Sequence, residues 1–101
     1  MALTAQTSAD GANVTISVIG RFDFNIHHEF RQAYEHAGDS IKKYVIDMKG
    51  TEYMDSSALG MLLLLRDHTG GEASNISIIN SSKDIKKILE IANFNKLFNI
   101  D

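Results

Sequence analysis

Three consecutive residues, Asp55, Ser56 and Ser57, stand between Tyr53-Met54 and a leucine-rich run that begins at Leu59. Their types and spacing suit the first turn of a helix, where unpaired backbone N–H groups and the positive end of the helix dipole meet solvent. A serine in that position can cap the helix. It can also carry a phosphate, which adds about −1.5 to −2 charge and three acceptor oxygens at a point that tolerates anions. A phosphoserine beside Asp55 would change the surface sharply and leave the fold in place, which is what a binding switch requires. Asp-Ser-Ser ahead of an apolar run is also how an ordinary helix starts. From these three residues alone, that second explanation is the commoner one.

Other chemistries find less support. His27 and His28 are adjacent and point in different directions on a helix, His36 lies two turns beyond His28, and His68 stands alone near a helix end. The ligand number and spacing of a metal site are missing. There is no Cys, hence no thiolate ligand, thiol nucleophile or disulfide. Ser56 lacks the Gly-x-Ser-x-Gly elbow of a nucleophilic serine, and Gly60, Gly70 and Gly71 form no phosphate-cradling loop with a lysine. No cofactor and no enzymatic activity are expected.

The elements that must position Ser56 can be read from periodicity. Residues 13–19 alternate, with Val14, Ile16 and Val18 on one face, and predict a strand ended by Gly20. Residues 3–6 are a candidate partner strand across an Asp10-Gly11 turn. Ile26, Phe30, Ala33, Tyr34 and Ala37 form one helical stripe, with Asn25 as expected N-cap and Gly38 as a left-handed C-cap. Residues 44–48 predict a short buried strand. The run after Ser57 predicts a helix buried on nearly all sides and stopped by Gly70-Gly71, with Met61 and Leu63 favoured as core. Residues 75–79 predict another strand. Ser81 and Asp84 have capping-box spacing ahead of a helix carrying Ile85, Ile88, Leu89 and Ala92, and residues 97–100 predict a last strand. The order β-β-α-β-α-β-α, with a possible final β, is an α/β layer structure: a four- to five-stranded mixed sheet with helices packed against it.

The 101 residues suit one domain, with 44% hydrophobic residues to build its core. A formal charge of −3, with Lys and Arg no more clustered than Lys42-Lys43 and Lys86-Lys87, argues against nucleic acid as a partner. The first residues have neither the basic nor the apolar region of a secretory signal, and residues 59–65 are too short an apolar run to span a bilayer. A cytoplasmic, monomeric protein with no membrane association is the expectation.

The segment Tyr53-Met54-Asp55-Ser56-Ser57-Ala58-Leu59-Gly60-Met61, the Gly20-Arg21-Phe22-Asp23 turn and the element order together resemble the STAS domain family. More narrowly, they look like bacterial anti-sigma factor antagonists, whose motif reads Met-Asp-Ser-Ser/Thr-Gly-Leu-Gly. Ala58 stands where many members have Gly, and Ala is the better helix former by about 1 kcal/mol. The resemblance implies that a dedicated kinase phosphorylates the serine directly after the Asp, here Ser56. It further implies that Asp23, Asn25, Asp55, Ser57, Ala58, Leu59 and Met61 form the partner-binding surface around it. For Asp23, a turn-forming role is as good an account. The implied partners are an anti-sigma factor or GHKL-type serine kinase, which binds the unphosphorylated form, and a PP2C-type phosphatase that restores it. Two alternatives stand beside this: an accessory subunit of an ABC lipid transporter, and the same phospho-switch controlling biofilm or motility without a sigma factor.

Overall fold

The structure is a computed structural model and describes residues 3–38 and 40–101. Strands β1 (Leu3–Thr7) and β2 (Asn13–Val18) form an antiparallel hairpin, and β3 (Gly20–Phe22) follows after one residue. A single 3-10 turn (Phe24–Ile26) leads into α1 (His27–Glu35). Then come β4 (Lys43–Asp47), β5 (Thr51–Met54), α2 (Ser56–His68), β6 (Ile76–Ile79), α3 (Lys83–Ile91) and β7 (Asn99–Ile100), with 3-10 turns at Gly71–Ala73 and Phe94–Lys96. The main sheet has the order β1-β2-β4-β6-β7 and is parallel except at β1. This is the mixed five-stranded α/β sheet expected from the sequence.

Register explains why one face of this sheet is the core. Val14, Tyr44 and Ile76 are neighbours across three strands, as are Ile16, Ile46 and Ile78, and all six are buried. Their alternates, among them Thr15, Ser17, Val45 and Ser77, are only half-buried. Phe30 and Tyr34 from α1, Met61, Leu62 and Leu65 from α2, and Ile85 and Leu89 from α3 complete the same cluster. Parallel neighbours joined by helices leave one face for the helices to cover.

Several local expectations are corrected. Asp23, not Asn25, caps the turn before α1: its carboxylate accepts from the Asn25 N–H at 3.0 Å, and the chain enters the helix through a 3-10 turn. Ser82, not Ser81, caps α3 and accepts from the Ile85 N–H at 3.2 Å, because Asn80 at φ 60° turns the chain one residue later. The last strand is shortened to Asn99–Ile100, since residues 94–96 take the 3-10 turn. Helix α2 is not buried all round: Ala58, Met61, Leu62 and Leu65 face the core, whereas Leu63 and Leu64 are 37% and 50% exposed. The sheet covers one side of this helix only.

A second, two-stranded parallel sheet was absent from the sequence expectation. It pairs β3 with β5, setting Arg21 opposite Tyr53 and Phe22 opposite Met54. Gly20 enters it at φ 81°, a conformation that an L side chain resists. Thr51, 5% exposed, donates its hydroxyl to the Val18 carbonyl at 2.7 Å, and the Gly20 N–H reaches the Gly50 carbonyl at 2.8 Å. The first bond ties the small sheet to the end of β2 in the main one, and the second extends the β3–β5 pairing. Thr51→Val keeps the shape but orphans a buried acceptor, so it should cost about 1–3 kcal/mol, read as a lower urea midpoint at unchanged slope.

Candidate functional site

The small sheet places two aspartates in equivalent positions. Phe22 and Met54, both buried, are register partners, and each is followed by an aspartate that caps what comes next. Asp23 caps the 3-10 turn at Phe24–Ile26, and Asp55 caps α2. Burying the hydrophobic pair thus delivers both carboxylates to the same end of the sheet. Asp23 is itself only 8% exposed and accepts from Arg21 Nε at 3.2 Å.

At the start of α2 the two serines are treated differently. Asp55 Oδ1 accepts from the N–H groups of Ser57 and Ala58 at 3.0 and 3.3 Å, and the Ser57 hydroxyl donates to the same oxygen. The Ser56 side chain is exposed, and its hydroxyl has no hydrogen-bond partner among the described residues. Ser57 is therefore committed to the cap and Ser56 is free. An exposed hydroxyl with no competing bond, at the positive end of a 13-residue helix, is suited to accept a phosphoryl group.

The Ser57 hydroxyl holds the Asp55 carboxyl below its ordinary 3.8, helped by the N–H groups of Ala58 and Ser57 and by the Tyr53 hydroxyl, against a smaller opposing effect of desolvation. A carboxylate with a lowered folded pKa stabilises the fold above its unfolded pKa, and that contribution disappears as pH falls through the folded value. Asp55→Asn should accordingly have a lower Tm than the wild type at neutral pH. The gap should close as the pH drops below about 4. Thermal melts of both proteins from pH 7 to pH 2 check this, and a pH-independent gap would contradict it.

The other sequence-derived candidates divide into rim and core. Asn25 is exposed and Leu59 is half-buried, both accessible from solvent. Ala58 and Met61 are 0% and 3% exposed and point into the core, which corrects their expected place on a partner-facing surface. They fall on the inner stripe of α2 with Leu62 and Leu65, at the spacing a buried helix face requires.

Three further residues border the site and were not singled out from sequence. Phe24 is 67% exposed and lies stacked on His27, with ring centroids 4.8 Å apart. Tyr53 is 39% exposed, and the Arg21 guanidinium carbon sits 3.9 Å above its ring centroid. Only the β3–β5 register brings Arg21 to Tyr53, so no local pattern announces the pair. Phe24 had a weak signal, an aromatic residue in a polar turn, which buried and exposed placements share.

A shallow concavity of about 730 Å³ lies on the half-buried face of the main sheet, among Lys43, Val45, Ser77, Ile79 and Asn99, and includes none of the residues around Ser56. Among the described residues, no group of three His, Cys, Asp or Glu is placed to hold a metal, and no helix is long and apolar enough to cross a membrane.

Residues 5–99 match the family model described as Mlab, STAS domain. The chain belongs to the STAS domain family. A STAS-domain containing protein of Pseudomonas aeruginosa is 55% identical over 100 residues, covering 99% of both chains. Among solved structures, an anti-sigma factor antagonist of Mycobacterium paratuberculosis superposes with a TM-score of 0.76 at 20% identity, covering 97% of this chain and 84% of that one. The anti-sigma factor antagonist SpoIIAA in its unphosphorylated form gives 0.69 at 18% identity, covering 89% and 83%. Its phosphorylated form, from Bacillus, gives 0.68 at 16% identity, covering 99% and 91%. At these identities the solved structures establish the shared STAS fold.

Proposed function

We propose that this STAS domain is an anti-sigma factor antagonist that works by partner switching, with Ser56 as its phosphoacceptor. In the unphosphorylated form it binds an anti-sigma factor or GHKL-type serine kinase. Phosphorylation of Ser56 breaks that complex, and a PP2C-type phosphatase restores it. The observation that carries this reading is the contrast between the two serines: Ser57 is bound to Asp55, while Ser56 is exposed and unbonded one residue after the cap. Antagonists of this fold supply the supporting analogy, one of them solved in both unphosphorylated and phosphorylated forms.

The physics of the site suits such a switch. A dianion added at Ser56 would stand one residue from the Asp55 carboxylate, at the end of the small sheet to which the register also brings Asp23, with Phe24 and Tyr53 exposed in the two flanking segments. A partner covering that rim would have to desolvate the phosphate or turn away from it. The role proposed is binding, not catalysis, and the protein meets ATP only as the substrate of its kinase.

The test is a capture experiment from native lysate with unphosphorylated, Ser56→Ala and Ser56-phosphorylated protein as baits, read by mass spectrometry. Capture of a kinase-like or anti-sigma protein by the first two baits alone is the expected outcome. Capture of one transporter ATPase by all three would replace this reading with that of an accessory subunit. An unphosphorylated-only partner outside the sigma pathway would keep the switch and reassign its output to a process such as biofilm formation or motility.

A further inference from the structure

The rim around Ser56 contains one positive charge positioned to answer a phosphate. Arg21 is the single Lys or Arg in residues 20–30 and 50–65, the two segments that build the site. Its side chain is 64% exposed. Nε donates to Asp23 Oδ2 at 3.2 Å, and the guanidinium carbon sits 3.9 Å from the ring centroid of Tyr53, three residues before Ser56. The two Nη groups have no hydrogen-bond partner among the described residues. The cation thus rests on one carboxylate and one ring, with most of its donors unspent.

We propose that Arg21 is the phosphate-sensing residue of this site, whose guanidinium leaves Asp23 for the phosphoryl group once Ser56 carries one. This rests on the assignment of Ser56 as phosphoacceptor. The pair joins a well-exposed guanidinium to a largely buried carboxylate through Nε alone, so solvent screens its cationic half and leaves it free to turn. A phosphoserine offers up to twice the charge and three acceptor oxygens, which a planar guanidinium can engage with two donors at once. Arg21 and Tyr53 are register partners on adjacent strands, Ser56 follows Tyr53 by three residues, and Arg21 Nε already turns toward Asp23 at the same end of the sheet as Asp55. The move has a structural consequence beyond added charge: it uncovers the Tyr53 ring and frees the Asp23 carboxylate, so phosphorylation remodels the rim that the partner sees. Asp55 and Asp23 act against the phosphate's ionisation, Glu52 and His27 are the other titratable groups close by in the two segments, and Arg21 is their fixed positive charge.

Phosphoserine installed at position 56 of the full chain by codon suppression makes the test independent of any kinase. The second ionisation of the phosphate, ordinarily near pH 6, is followed by phosphorus NMR in three backgrounds: wild type, Arg21→Gln and Arg21→Lys. The expected result is a value in wild type lower than in Arg21→Gln by about half a unit or more, roughly threefold in the protonation constant. Arg21→Lys should fall between. Because the surrounding carboxylates and His27 are the same in all three, the difference isolates the guanidinium. In parallel, the Tyr53 ring resonances of wild type should move on phosphorylation toward their positions in Arg21→Gln. Equal ionisation in all three backgrounds, with Tyr53 unmoved, would overturn the proposal. Loss of the partner-switching reading would show instead in the capture experiment, as binding blind to Ser56 phosphorylation.

Discussion

Phosphorylation of Ser56 should weaken the complex with the captured partner at least tenfold, equivalent to about 1.4 kcal/mol, and as much as a hundredfold. Two terms act together. The dianion is repelled by Asp55, whose carboxylate is pinned within the first turn of α2, and its water must be stripped if the partner covers the rim. Neither requires the fold to change. Ser56→Ala should therefore bind like the unphosphorylated wild type and melt with a stability within about 1 kcal/mol of it, since Asp55 supplies the cap. Titration calorimetry of the purified pair, with phosphorylated protein rather than an aspartate substitute, measures the ratio. A phosphoprotein of unchanged affinity would place the interface elsewhere, and a Ser56→Ala protein that fails to fold would make the residue structural.

Truncating Phe22 should have the largest effect on the fold itself. Its side chain is fully buried, lies 5.3 Å from the Phe30 ring by centroids, and pairs in register with Met54. Phe→Ala at such a site costs about 3–5 kcal/mol, against a total of about 5–15 kcal/mol for an ordinary domain. The position adds a functional consequence. Arg21 precedes Phe22 in a strand of three residues and Asp23 directly follows it, so loss of the anchor frees Arg21 from Tyr53 and Asp23 from the turn before α1. Urea unfolding should show the full loss, and the Tyr53 ring resonances of the still-folded fraction should lose their Arg21 shift. A loss below about 1 kcal/mol would mean that β3 is dispensable to the core. Phe22→Leu, which retains most of the buried volume, should recover a large part of the deficit.

The amino-acid sequence by itself determined the parts of this protein that depend on neighbours along the chain. Alternation in residues 13–18 and the stripe of Phe30 and Tyr34 specify a strand and a helix, because side chains at spacings of two and of three to four share a face. Asp55 before Ser56 likewise marks a helix start, since a capping carboxylate reaches only the N–H groups two and three residues on. The tertiary structure decided everything that needed contact across the chain. Strands of three and four residues carry no periodicity, so the β3–β5 sheet emerged only where Thr51 reached Val18 and Phe22 met Met54. The choice of Leu63 and Leu64, not Met61, for the exposed side of α2 follows from which side of the helix meets the core, which a uniformly apolar run does not encode. The difference between Ser56 and Ser57 has the same origin. Two identical side chains stand in adjacent positions, and the direction in which Asp55 enters the helix turns one toward its carboxylate and leaves the other to solvent.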